Sequence, residues 1–218
     1  IPATTRAKEL KEKIRLTEGR CACNMMFHIG ATNSNWHDLA YMARYGCKEE
    51  GIRAEDIAGI KVFMGSSTGN MLVDEKESLY EIFQIREKPV LVHCEDEETI
   101  RRNLAQAKER YGDDIPFEEH RNIRSRMACI KSSIKALELA IEHQTRLVLC
   151  HISTMEEIEM ARAAKLSNPD IITETSCNYL WFSDEAYLRL GSHVKCNPSV
   201  KAYSDMQSLR NGLRDGLI

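Results

Sequence analysis

Three short apolar runs in this chain each end in a side chain able to hold a metal ion. They are Lys61 in Gly-Ile-Lys-Val-Phe-Met-Gly, His93 in Pro-Val-Leu-Val-His-Cys-Glu-Asp and His151 in Arg-Leu-Val-Leu-Cys-His-Ile-Ser-Thr. Neutral imidazoles are good ligands for zinc-class ions, and two histidines in matched strand-end contexts read as a site. Lys61 has apolar neighbours on both sides, so its ammonium needs a partner or a modification. Two accounts fit it. It can snorkel to the strand end or pair with an acid, or it can be carboxylated by carbon dioxide, which yields an anion able to bridge two metals. Asn197, just before Pro198, ends another expected strand and can offer the amide contacts that a cyclic imide or ureide needs. Residues 65–70, Gly-Ser-Ser-Thr-Gly-Asn, form a donor-rich loop that reads as a cover over the site or an anion cradle; they lack the Lys-Ser/Thr ending of a nucleotide loop.

These side chains must be aimed by the elements around them. Aliphatic runs bounded by turn or charged residues predict strands over 20–29, 57–64, 89–93, 146–151, 171–175 and 193–197. Helical spacing predicts helices over 5–18, 36–50, 74–87, 95–111, 117–143, 154–165, 184–190 and 204–214, with the fifth broken near Asn122. Thr154 followed by Glu157 is a capping box, and Glu95 and Asp96 suit a positive helix start. Strands alternating with helices pair in parallel, and their chemistry collects at the strand carboxyl ends. Polar residues recur at nearly every strand end, and no Gly-x-Gly-x-x-Gly follows the first strand. Both points favour a (β/α)8 barrel over a doubly wound sheet. Six strand–helix units are expected, too few to close a barrel, so residues 1–218 read as one incomplete barrel domain from the interior of a longer protein.

Composition narrows the function further. With 218 residues, 43% hydrophobic content and a formal charge of -3, the chain reads as an ordinary globular protein without a nucleic-acid footprint. No apolar run approaches the ~20 residues of a membrane span. The eight cysteines contain no Cys-x-x-Cys pair, and Cys94, Cys150 and Cys196 sit beside site candidates on expected strands. Free thiols in a reducing cytoplasm are therefore expected. His28, His37, His120, His143 and His193 read as structural or exposed, and Trp181-Phe182 as packing.

The chain resembles a bacterial dihydroorotase of the amidohydrolase superfamily. The string Gly-Ile-Lys-Val-Phe-Met-Gly-Ser-Ser-Thr-Gly-Asn-Met-Leu-Val-Asp over 59–74 carries most of that resemblance. Val-His-Cys-Glu-Asp at 92–96, Cys-His-Ile-Ser-Thr at 150–154, Tyr-Leu-Trp-Phe-Ser-Asp-Glu at 179–185 and Lys-Cys-Asn-Pro at 195–198 extend it. The resemblance implies a barrel with one or two zinc ions, Lys61 as the carboxylated bridging lysine, His93 and His151 as metal ligands, and Asn197 as a contact to the pyrimidine ring. It implies interconversion of N-carbamoyl aspartate and dihydroorotate in pyrimidine synthesis, by metal-activated hydroxide attack on the ring amide, in a cytoplasmic homo-oligomer. A His-x-His pair and the Asp-His-Ala-Pro segment that carries the proton-shuttle Asp are absent, the latter expected directly after Ile218. The isolated 218 residues are therefore expected to bind zinc weakly and to lack activity. Cys177-Asn178-Tyr179-Leu180 stands closer to hydantoinases, so a dihydropyrimidinase, hydantoinase or allantoinase is the alternative. A catalytically inactive scaffold is the other.

Overall fold

The computed structural model describes residues 3–65 and 71–218. The aliphatic runs form five parallel strands: β1 (Phe27–Gly30), β2 (Ile57–Phe63), β3 (Val90–His93), β4 (Leu147–Leu149) and β5 (Ile171–Thr173). Their spatial order is their chain order. No described strand steps back across the sheet, so the switch point of a doubly wound fold is missing and the sequential order of a barrel wall is present.

The register sorts the strands into two rows. Ile29, Ile60, Val90, Leu147 and Ile171 are aligned neighbours, each between 0% and 1% exposed. This row lies within the hydrophobic cluster shared with the helices. At about 1.5–3 kcal/mol for each fully buried aliphatic side chain, it is a main source of stability. One residue along each strand, Gly30, Lys61, Leu91, Val148 and Ile172 form the opposite row. There Lys61, Leu91 and Val148 are half-buried and Ile172 is exposed.

The helices are α1 (Ala7–Thr17), α2 (Trp36–Tyr45), α3 (Lys76–Phe83), α4 (Glu97–Tyr111), α5 (His120–Ile123), α6 (Arg126–His143), α7 (Met155–Ala164), α8 (Cys177–Trp181), α9 (Ala186–Leu190) and α10 (Tyr203–Arg214). Among them α2 packs on β2, α6 on β4 and α7 on β5, while α10 packs on α7 and α8. The expected capping box starts α7: Glu157 N–H donates to Thr154 Oγ1 at 3.2 Å and Thr154 N–H to Glu157 Oε2 at 3.1 Å. Burial raises the Glu157 carboxyl pKa above its usual range, against the bonds from Ser153, Ser133 and Thr154. Arg126 joins α6 to α7 and α10 through Glu156 and the buried Asp205, which also accepts from Met155 N–H at 2.9 Å.

Several expectations change. There are five strands among the described residues, so five strand–helix units rather than six. The segment expected as a strand over 193–197 is a 3-10 turn, Gly191–Val194, followed by an irregular loop. It has no ladder partner among the described residues; side chains hold its backbone and the residue after it instead, with His120 Nε2 2.8 Å from Cys196 O and Tyr179 O–H donating to Pro198 O at 2.6 Å. Cys196 and Asn197 therefore lie on a loop. Most of 20–29 is likewise irregular, and only Phe27–Gly30 finds a neighbour in β2. The long helix over 117–143 is three pieces, a 3-10 turn Phe117–Glu119, then α5 and α6, broken at Arg124 and restarted at Ser125. The first turn of α4 begins at Glu97 with Asp96 as its cap, accepting from Thr99 N–H at 2.9 Å, so Glu95 lies outside the helix. All eight cysteines are free thiols, as expected. No helix among the described residues is long and apolar enough to cross a membrane.

Candidate functional site

His93 ends β3, and His151 follows β4 by two residues. Adjacent parallel strands carry both rings to one point, with His93 Nδ1 3.1 Å from His151 Nε2. Such a pair can share one proton or one cation. Two nitrogens on one tetrahedral zinc, each bonded at about 2.0–2.1 Å, stand roughly 3.3 Å apart, so the observed separation fits two ligands of one ion. His151 holds a left-handed backbone, φ 40°, which costs about 1 kcal/mol or more in a residue with a Cβ. Its Nδ1 is buried without a hydrogen-bond partner. Burial, the neighbouring His93 and then Lys61 push its pKa down to about 4, keeping the ring neutral and able to bind metal above that.

Lys61 lies inside β2, two residues before its end, rather than at the strand terminus expected from its context. Its Nζ is 3.2 Å from Cys150 Sγ and 5.1 Å from the centre of the Phe63 ring. Alternation puts Lys61, Phe63 and, one strand over, Leu91 and His93 on the same face. Burial raises the Cys150 thiol to about 11, against the pull of Lys61. No carboxylate stands in salt-bridge contact with Lys61 among the described residues. Nor do three His, Cys, Asp or Glu side chains among them converge as a complete metal cage. The two histidines fit a zinc-class ion as a partial ligand set.

Asn197 is exposed on its loop beside a cis peptide to Pro198. The loop is tied to the break between α5 and α6 by Ser199 Oγ, which donates to Arg124 O at 2.8 Å. Most of the donor-rich loop, residues 66–70, lies outside the described residues. Its first residue, Gly65, packs so close to Glu95 that a Cβ there would sit 1.7 Å from the Glu95 carbonyl oxygen, and only glycine fits.

Sequence reasoning missed one group. Glu95, read as a helix-start charge, is fully buried, with Oε2 3.1 Å from His93 Nε2 and in contact with Arg124. Burial alone would raise its pKa; the contact to His93 and the charge of Arg124 outweigh it and hold the carboxyl below its usual value. The signal was its place two residues beyond a strand-end histidine. His28, read as structural or exposed, is exposed on β1 opposite Gly59, on the same face as Lys61. Burial first, then Lys61, lowers its pKa, while Glu174 opposes them.

The architecture defines a class. The fold superposes on the L-hydantoinase (dihydropyrimidinase) from Arthrobacter aurescens with a TM-score of 0.86 at 24% identity, covering 100% of this chain and 46% of that one. The fold is thus part of a (β/α)8 barrel. At the level of sequence, the chain is similar to the dihydroorotase of Methanosarcina acetivorans, 28% identical over 100% of this chain and 45% of that protein. It is also 29% identical to the allantoinase of Rubrobacter xylanophilus over 76% of this chain and 37% of that protein. The chain spans less than half the length of these relatives. No family model matches it.

Proposed function

We propose that this chain contributes part of the metal centre of a cyclic amidohydrolase, with dihydroorotate and N-carbamoyl aspartate as its substrate pair. The observation that carries this reading is the 3.1 Å approach of His93 Nδ1 and His151 Nε2 on adjacent barrel strands. In this reading His93 and His151 would hold zinc through their imidazole nitrogens. Lys61, once carboxylated, would offer an anionic ligand from the next strand. Zinc bound there would polarise the ring amide carbonyl and acidify a water molecule. Asn197 orients the ring, its loop braced by Ser199 and Tyr179. The remaining ligands and the proton-transferring carboxylate come from outside residues 1–218.

The dihydroorotase assignment is supported by similarity along the whole chain and by the uninterrupted 59–74 string. Its rival, a hydantoinase or allantoinase, is favoured by the fold match and by the Cys-Asn-Tyr-Leu segment at 177–180. Hydrolysis assays of the full-length protein on dihydroorotate, dihydrouracil, hydantoin and allantoin separate the two. Turnover of dihydroorotate above the others is expected; its absence overturns the substrate assignment. Elemental analysis of the purified protein should find zinc, and the His151→Ala protein should lose most of it. A zinc-free active protein would overturn the metal reading.

A further inference from the structure

We infer that Glu95, held in place by Arg124, is a positioning residue that fixes the His93 ring so that Nδ1 faces the cation position. The inference rests on the metal-centre reading for its purpose, but the orientation itself is a property of this chain. Glu95 is 0% exposed and its Oε2 lies 3.1 Å from His93 Nε2, on the side of the ring away from His151. A carboxylate at that distance favours a proton on Nε2 and leaves the Nδ1 lone pair free, the arrangement in which a second carboxylate orients a ligating imidazole.

Glu95 is not free to follow the ring. Arg124 grips its carboxylate from the break between α5 and α6. The break itself is pinned: Arg124 N–H donates to His120 O at 2.9 Å, and Arg124 O accepts from Ser199 Oγ at 2.8 Å. Lys201, buried, donates to Ser199 O and Oγ at 2.9 Å each. On the backbone side, Gly65 closes against the Glu95 carbonyl. The Glu95 contact to His93 Nε2 is an ion-pair approach and not a regular hydrogen bond, while the other ring nitrogen, Nδ1, is met by His151 Nε2 at 3.1 Å. The loop that bears Asn197 is braced through the same arginine, so ligand orientation and substrate contact share one support.

Long-range proton–nitrogen NMR of the metal-free full-length protein reads the tautomer directly, with His93 assigned by its loss in His93→Gln. The expected result is a proton on Nε2 and a bare Nδ1. In Glu95→Gln, zinc affinity measured against a chromophoric chelator should fall about 10–100-fold, and Glu95→Asp should recover part of it. A wild-type ring protonated on Nδ1, or unchanged zinc affinity in a folded Glu95→Gln protein, overturns the inference. Should Glu95→Gln fail to fold, the wild-type tautomer decides. A wild-type protein with the Nε2 proton but no zinc binding would sink the metal reading and leave the positioning role standing.

Discussion

The two faces of the sheet are built from the same five strands and have opposite characters. One row, Ile29, Ile60, Val90, Leu147 and Ile171, is sealed within the core; the next residue along each strand gives Gly30, Lys61, Leu91, Val148 and Ile172, where only Gly30 is fully buried. A strand alternates its side chains, so one register decides both rows together. The sealed face uses interchangeable aliphatics and stores stability. The opposite face carries Lys61 and His93, the polar side chains of the proposed site.

Substitutions on neighbouring residues of one strand test that contrast most sharply. Ile60→Ala, in the sealed row, should lower unfolding free energy by about 2–5 kcal/mol in urea titrations. A loss below 1 kcal/mol, on the order expected of surface sites, would show that this face is not the core. Away from the strands, at the start of α5, His120 is buried against Cys196 O, and burial first, then Lys195 and Arg124, lowers its pKa while the Cys196 bond and Glu95 oppose. The folded protein therefore binds this proton less readily than the unfolded chain. Its contribution is present above the unfolded pKa of about 6.5 and is lost as pH falls below that toward the folded value. Melting temperatures should drop over that acid range, and His120→Gln should make the slope shallower; an unchanged slope would remove His120 from the account.

Lys61→Met changes a side chain on the open face, next to Ile60 in sequence. Stability should move by less than about 1 kcal/mol in calorimetry while zinc content falls, separating function from folding along one strand. The smallest effect belongs to Ile172→Thr, at a position 53% exposed, which should shift the stability of the 218-residue chain by no more than about 0.5 kcal/mol. A cost of several kcal/mol would mean that this face is covered.

Much of the site was legible because local pattern carries it. His93 and His151 stand at the ends of aliphatic runs short enough to be strands, and Thr154 with Glu157 announced the start of α7. The expected strand over 193–197 failed because alternating residues alone do not make a ladder; a neighbouring strand must be there to pair. Glu95 was misread for a related reason. Four consecutive acidic residues, Glu95 to Glu98, look alike in sequence, yet Glu95 is sealed beside His93, Asp96 caps α4, and Glu97 and Glu98 fall in its first turn.

By itself, then, the sequence determined the alternation of strands and helices, the parallel class of the sheet and the free state of the thiols, and it named the three residues of the proposed metal site. These follow from side-chain periodicity and type, which act within a few residues. The tertiary structure alone decided that His93 and His151 meet at 3.1 Å, that Lys61 sits within its strand against Cys150, and that Arg124 reaches Glu95 across 29 residues of chain. Those are matters of register and burial, set by which distant segments pack together and not by the residues next door.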